Sequence, residues 1–344
     1  MEYFWNEALR PQGARQVRLL GCPDMGKERL LALLGNYLEQ NGGTVERYFA
    51  PLRPTQLVAL YLPKSDLLFA DSFFLDDTHA AALDLDEKRD WTQLFHKRAA
   101  LARLDALVQS AEHKYARHWQ TACLLQKDFA RLDSARLNKE KLARAATRLA
   151  AKEFPSPSGH VGLETRRPLS GMSAGGMAAH FMTIAALCDT LVLVEDFSGA
   201  AGAFLLDRLR GYALGDGLDV IVCPSPLQPD AAPEFLFVPG IGLGAGVCNR
   251  FHNPALLIDA LQGSKRFSRL RILRAERFYQ PQTPDETRRR HFLHAAQWEL
   301  LDTARTALTE RDAALERLAS LYAAANAPQN LPYLAAKLLT LAED

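Results

Sequence analysis

The residues best suited to chemistry lie between Gly21 and Glu28, directly after a short apolar run. Gly21, Gly26 and Lys27 fit the spacing G-x-x-x-x-G-K, with Pro23 inside the loop. In such a phosphate-binding loop (P-loop), backbone N–H groups wrap the phosphates and the lysine reaches their outer oxygens. The Ser or Thr that normally follows the lysine binds Mg²⁺, but here that position is Glu28. The pattern predicts a phosphate- or nucleotide-binding loop without its metal-binding hydroxyl.

A carboxylate that could face this loop is Asp71, at the end of the apolar run Leu67–Asp71. The run predicts a buried strand, and open α/β sheets build their sites at the carboxyl ends of strands. Asp71 is therefore the candidate to hold a metal through water, and ATP with Mg²⁺ is the cofactor that the first half could bind. No residue is assigned a catalytic role.

Two acidic residues oppose nucleotide binding, because Asp24 and Glu28 stand where a polyphosphate would lie. One like-charge contact at 4 Å costs on the order of 4 kcal/mol at an effective dielectric constant of 20. Glu28 could itself ligate Mg²⁺, or its carboxylate could fill the anion site. The second alternative costs less.

The loop is followed by an amphipathic helix, and the whole unit recurs later in the chain. Adding 175 to a residue number maps the apolar face of this helix, and Gly42 after it, onto a second copy without a gap. The matched face residues are Leu30, Leu31, Leu34 and Tyr37 in the first copy and Leu205, Leu206, Leu209 and Tyr212 in the second. In the second copy Asp196 replaces the first glycine and Gly202 replaces the lysine. We expect no Mg-nucleotide site there.

Each copy is followed by a long stretch that predicts helices. Apolar residues in alternating three- and four-residue steps indicate helical arms over 88–153 and 284–342. The segment Phe154–Gly176 is rich in Pro, Gly and Ser and is typical of a boundary. The predicted fold is α/β, with two tandem P-loop NTPase-like three-layer units, over 1–153 and 154–344, each carrying a helical-hairpin arm. The arms are candidate surfaces for a protein partner.

Composition narrows the classes of partner and compartment. The 344 residues include 41 basic and 40 acidic ones, a net charge of +1, which disfavours a nucleic-acid partner. Five cysteines without C-x-x-C spacing indicate free thiols in a reducing cytosol. The start of the chain does not fit a signal peptide, and no apolar run is long enough for a membrane span. We expect a cytoplasmic protein with no membrane contact.

On these motifs, the chain resembles an uncharacterised bacterial family of tandem P-loop ATPases, whose halves each carry the loop G-x-P-G-T-G-K-S. Gly21, Pro23, Gly26 and Lys27 match the first loop, and Leu67–Asp71 matches the acidic strand. The resemblance covers nearly the whole chain and implies the family's fold and ATP binding. The departures fall on the chemistry, with Asp24 in place of Gly, Glu28 in place of Ser, and a second loop that has lost its motif.

Three functions follow from this pattern. The first is a degenerate P-loop protein, or pseudo-ATPase, with a scaffold or regulatory role and at most phosphate or nucleotide binding in the first half. The alternative is an active ATPase or small-molecule kinase that uses the first half only. The third is a purely structural protein whose helical arms make protein contacts.

Overall fold

The computed structural model describes residues 1–11, 13–21, 26–75, 80–86, 91–155, 159–248, 254–265, 267–325 and 330–343. The chain is an α/β protein with two six-stranded mixed sheets and helices. Contacts divide it into two compact units. Unit 1 contains residues 1–116, 172–176 and 304–344, and unit 2 contains residues 117–171 and 177–303.

The sheet of unit 1 has the strand order β1-β3-β4-β5-β2-β6. Its strands are β1 (Glu2–Phe4), β2 (Arg15–Leu20), β3 (Glu46–Ala50), β4 (Arg53–Leu62), β5 (Leu67–Asp71) and β6 (Ala81–Asp84). Strand β2 runs parallel to both β5 and β6, whereas β4 is antiparallel to its two neighbours. All five residues of β5 are buried, as its apolar sequence predicts.

The sheet of unit 2 repeats this arrangement strand for strand. Its order is β7-β11-β12-β13-β10-β14, with the same parallel and antiparallel pairs. The strands from β7 onward are β7 (Glu164–Arg166), the hairpin strands β8 (Ser170–Ser173) and β9 (Gly176–Ala179), β10 (Thr190–Glu195), β11 (Val220–Ser225), β12 (Gln228–Val238), β13 (Leu243–Cys248) and β14 (Arg269–Arg274). The duplication indicated by the sequence is thus present in the order of the strands.

The described residues form nine α-helices. They are α1 (Lys27–Gln40), α2 (Trp91–His96), α3 (Arg98–Ala135), α4 (Lys139–Glu153), α5 (Phe181–Leu187), α6 (Ala200–Gly215), α7 (Pro254–Gln262), α8 (Pro284–Ala323) and α9 (Leu331–Glu343). The equivalent helices α1 and α6 bury the leucines of the predicted faces. The tyrosines predicted beside them are not buried, because Tyr37 is 53% exposed and Tyr212 is half-buried. Both helices are followed by a glycine with positive φ, 79° at Gly42 and 80° at Gly217. Glycine takes this conformation without steric cost, which ends each helix at the predicted place.

The start of α6 differs from the prediction of a repeat without a gap. The N-cap glycines, both left-handed, are Gly26 in the first copy (φ 76°) and Gly199 in the second (φ 81°). These residues are 173 positions apart, not 175, so the second loop is two residues shorter. The offset of 175, which aligns Gly202 with Lys27, is therefore wrong within the loop. The structural equivalent of Lys27 is Ala200, because each is the first residue after the N-cap glycine.

The compact units do not follow the predicted halves 1–153 and 154–344. Helix α4, from the first half, packs in unit 2, where Leu142, Ala146 and Ala150 join the core around α6. Helix α9, from the second half, packs against α1 in unit 1, and its Leu338 is fully buried. An amphipathic pattern shows that a helix must cover an apolar surface, but not which of two similar sheets it covers.

The close contact of α6 with β13 depends on Gly202. A Cβ atom added there would lie 2.5 Å from Cγ2 of Val247, whose branched side chain is buried. We expect Gly202→Ala to lower the free energy of unfolding by about 1 to 3 kcal/mol, because the core is overpacked. Gly211→Ala is the matched control on the same helix, since nothing lies within 4 Å of its added Cβ. Urea denaturation should show this control to be more stable than the wild-type protein by roughly 0.5 to 1 kcal/mol. Equal effects of the two substitutions would contradict the close packing of Gly202 against Val247.

No helix among the described residues combines the length and the apolarity needed to cross a bilayer.

Candidate functional site

The first loop joins β2 to α1 at the edge of the sheet where β5 also ends. Gly21 and Gly26 both have positive φ, 133° and 76°. Pro23 and Asp24 lie outside the described residues. Lys27 is the first residue of α1. The structure therefore brings Gly21, Lys27 and Asp71 together, as the strand and helix pattern predicts.

The lysine of this loop is bound to the acid that ends β5. Lys27 is 6% exposed, and its Nζ donates to Oδ1 of Asp71 at 2.6 Å and to the carbonyl oxygen of Gly21 at 2.9 Å. The Phe73 N–H donates to the same Oδ1 of Asp71 at 3.1 Å. The group expected to contact phosphate and the group expected to hold the metal thus form one buried ion pair.

Glu28 lies in the first turn of α1 and is exposed. A carboxylate at this position interacts favourably with the positive end of the helix dipole.

One oxygen that could hold Mg²⁺ at the first loop is already engaged. Oδ1 of Asp71 is paired with the Lys27 ammonium group, while Glu28 stands in place of the hydroxyl that would ligate the ion and could itself do so. Among the described residues, no group of three or more His, Cys, Asp or Glu side chains is arranged to hold a metal ion.

In the second loop, a carboxylate of the protein covers the start of α6. Asp196 directly follows β10 and is 3% exposed. The Gly202 N–H donates to its Oδ2 at 2.9 Å, and the Tyr279 hydroxyl lies 3.1 Å from Oδ1. The same hydroxyl oxygen accepts from the Ala201 N–H at 2.9 Å. Two N–H groups that would face a phosphate at a helix N-terminus are therefore already hydrogen-bonded.

Buried amides hold this loop in place from α3 and α8. Gln126 Nε2 donates to the Ser198 carbonyl oxygen at 3.0 Å, and Gln297 Nε2 donates to Oε1 of Gln126 at 3.2 Å. Gln297 Nε2 also lies 3.0 Å from the carbonyl oxygen of Ala122. Networks whose members all have partners fix a single conformation, so we expect the loop to be rigid.

Burial sets the titration of this cluster. Desolvation raises the pKa of the Asp196 carboxyl. The hydrogen bonds from the Gly202 N–H and the Tyr279 hydroxyl oppose this rise because they stabilise the carboxylate, whereas the charge of Asp133 increases it. Desolvation, followed by the nearby Asp196 charge, raises the pKa of the Tyr279 hydroxyl. At neutral pH the tyrosine therefore stays a hydrogen-bond donor to Asp196.

The raised pKa of Asp196 predicts how stability changes with pH. Its ordinary value is 3.8; above it, the folded state holds a proton that the unfolded state has lost. The stability contributed by this proton is complete below the unfolded pKa and is lost as the pH rises through the folded pKa. Urea denaturation should therefore show wild-type stability falling relative to Asp196→Asn as the pH rises from 4 to 8. A constant difference between the two proteins would contradict the raised pKa.

Comparisons with models of protein families, with curated proteins and with solved structures find no match to this chain.

The sequence pointed to the first loop but missed the residues that close the second. At Asp196 the repeat indicates only a lost glycine, although an acid at the end of a buried apolar run is also the signal that indicates Asp71. Tyr279 and Ser198 carried no usable signal. Tyr279 is 83 residues from Asp196, and no periodicity links the two.

Proposed function

We propose that this chain is a degenerate protein of the tandem P-loop type, a pseudo-ATPase that acts as a scaffold or regulator. Any remaining binding of phosphate or nucleotide belongs to the first loop. The proposal rests on the sequence repeat, on the matching order of the two sheets, and on the way in which each loop uses its own side chains.

The observation that carries the proposal is the buried pair of Lys27 and Asp71. A lysine that serves a nucleotide must reach the β and γ phosphates. Here its Nζ lies 2.6 Å from the carboxylate of Asp71, whose side chain is 11% exposed. Removing one partner from a buried ion pair costs about 3 to 5 kcal/mol, which corresponds to roughly two to four decades of affinity. A nucleotide would have to supply that energy or leave the pair intact.

The second loop supports the same function. It has no lysine at the start of α6, and Asp196 with Tyr279 occupies the N–H groups there. A phosphate at this helix would meet a carboxylate at hydrogen-bonding distance, which disfavours binding.

Exposed aromatic residues on the helical arms favour a role in protein contacts. Trp91 and Phe95 on α2 are 57% and 60% exposed, and Phe292 and Trp298 on α8 are 70% and 54% exposed. Trp91 and Phe95 are four residues apart, on one face of α2, and exposed aromatic side chains on one helix face are typical of interaction surfaces.

The alternative, an ATPase or small-molecule kinase that uses the first half alone, has one feature in its favour. Gly26 keeps the left-handed conformation and Lys27 keeps its place at the start of α1. This function requires Lys27 to exchange Asp71 for a phosphate, with the released carboxylate turning to Mg²⁺.

Isothermal titration calorimetry with ATP, with and without Mg²⁺, separates the two functions. For a pseudo-ATPase we expect no heat of binding at millimolar ATP, or weak binding that does not depend on the metal. Metal-dependent binding in the micromolar range that is abolished in a folded Lys27→Ala variant would overturn the proposal in favour of the enzyme.

A further inference from the structure

Unit 2 contains a cavity of about 830 Å³ at the carboxyl ends of three neighbouring strands. Glu195, Cys248 and Arg274, the last residues of β10, β13 and β14, all line it. Arg136 from α3 and Arg290 from α8 line it as well. Cavities of this size, at this end of an α/β sheet, are where small molecules bind.

Two of the cavity's arginines share a single buried carboxylate. Nη1 of Arg136 lies 3.2 Å from Oδ1 of Asp133, and Nη2 of Arg290 lies 3.3 Å from Oδ2. Asp133 is 2% exposed, and the two arginine side chains are 11% and 23% exposed. One negative charge therefore faces two positive charges in a mostly buried cluster.

Among the described residues, the other hydrogen-bond acceptors of these arginines are neutral oxygens, and Glu286 at the start of α8 interacts with Arg136 through its charge alone. The Gln280 carbonyl oxygen accepts from Nη2 of Arg136, and the Gln282 amide, with its oxygen turned toward them, accepts from both guanidinium groups. The Nε atoms of Arg136 and Arg290 are buried and have no hydrogen-bond partner within the described part of the chain. Neutral oxygens satisfy donors but do not cancel charge, and a buried charge without a counter-ion is costly.

The other acids of the cavity do not neutralise this pair. Asp196 faces the start of α6, where its hydrogen bonds come from Gly202 N–H, Tyr279 and Ser198. Glu195 pairs with Arg274 at 3.6 Å on the exposed rim, and Glu276 is exposed. Water screens charges at an exposed rim far more than charges inside.

The cavity also has an apolar wall beside the arginines. The guanidinium of Arg290 lies 5.7 Å from the ring centroid of Phe197, which is 49% exposed and lines the cavity. An aromatic ring next to a cation suits a ligand that has an anionic end and an organic body.

We propose that this cavity binds a small organic anion whose carboxylate or phosphate group pairs with Arg136 and Arg290. Guanidinium groups bind both kinds of oxyanion through charge-assisted hydrogen bonds. The site is independent of nucleotide binding in unit 1 and does not use the N-terminus of α6, whose N–H groups are covered by Asp196 and Tyr279. It goes beyond the scaffold function by giving unit 2 a ligand of its own.

The test is a titration of the full chain with inorganic phosphate and, separately, with malonate at constant ionic strength, followed by calorimetry. We expect saturable binding of at least one of them in the millimolar range, and the tighter of the two identifies the anionic group. Arg136→Gln and Arg290→Gln should each weaken binding about tenfold, because each removes a charged donor. Arg288→Gln is the matched control on α8, since this side chain is 79% exposed, and it should leave binding unchanged.

A second variant keeps the test decisive if loss of an arginine impairs folding. Glu195→Gln removes a negative charge from the exposed rim without touching the core, and we expect it to strengthen anion binding by a factor of about two to five. Absence of saturation by either anion, binding that neither arginine variant weakens, or binding that is lost only in Lys27→Ala would each overturn the proposal.

Discussion

Replacing Asp71 with alanine should lower the free energy of unfolding by about 3 to 5 kcal/mol, because Lys27 stays buried without its counter-ion. The pair is short, 2.6 Å between Nζ and Oδ1, and the two side chains are 7% and 11% exposed. Urea denaturation followed by circular dichroism gives the change.

The matched control for this prediction removes both charges. The double variant Lys27→Met, Asp71→Leu should recover most of the loss, since apolar residues of similar size often replace a buried ion pair at little cost. A double variant as unstable as Asp71→Ala would mean that the loss comes from packing. A loss below about 1 kcal/mol in Asp71→Ala would mean that the ion pair is not formed in solution, and the main support for the pseudo-ATPase function would go with it.

Replacing Leu338 with alanine should destabilise unit 1 by about 2 to 5 kcal/mol, because this side chain of α9 is fully buried in the core around α1. Hydrogen exchange locates the effect. The amides of α1 and of β6, which α9 also contacts, should exchange faster, while those of α6 in unit 2 keep their rates.

The control for α9 is Lys337→Ala, at an exposed position next to Leu338. It should leave exchange in α1 unchanged, because no packed side chain is removed. If Leu338→Ala instead accelerates exchange in α6 and spares α1, then α9 packs in the half of the chain from which it comes, as the predicted boundaries 1–153 and 154–344 would have it.

Much of the fold could be predicted because its signals are local. The leucines of α1 and α6 recur at helical spacing, Gly42 and Gly217 permit the left-handed helix stop, and the apolar run that ends in Asp71 has the length of a buried strand. Each of these signals depends only on residues within a few turns of one another. Two copies of the same signals gave two sheets of the same order.

What could not be predicted depends on contacts between distant residues. The pattern of α9 shows an apolar face but does not choose between two sheets built on one plan. The second loop is two residues shorter than the first, but this difference moves no apolar residue, so an alignment at an offset of 175 does not detect it. The left-handed conformation of Gly199 shows it. Tyr279 closes the second loop from beyond β14, and its type alone gives no reason to place it beside Asp196.

The same limit applies to the chemistry of the first loop. Glycine, lysine and acid at the right spacing indicate which groups meet, and Gly21, Lys27 and Asp71 do meet. Spacing does not show whether the lysine is open to a ligand or held by the acid. That difference separates an ATPase from a pseudo-ATPase.

The most direct measurement observes the Lys27 ammonium group itself, by nuclear magnetic resonance of the ¹⁵N-labelled full chain, with Lys27→Met to assign the signal. A buried, ion-paired ammonium exchanges its protons slowly enough to give a distinct resonance. We expect that resonance to stay unchanged when millimolar ATP and Mg²⁺ are added, because the Lys27 ammonium group stays bound to Asp71 and to the Gly21 carbonyl oxygen. A saturable shift of the signal would show that Lys27 leaves Asp71 for a phosphate, and would contradict the proposed function.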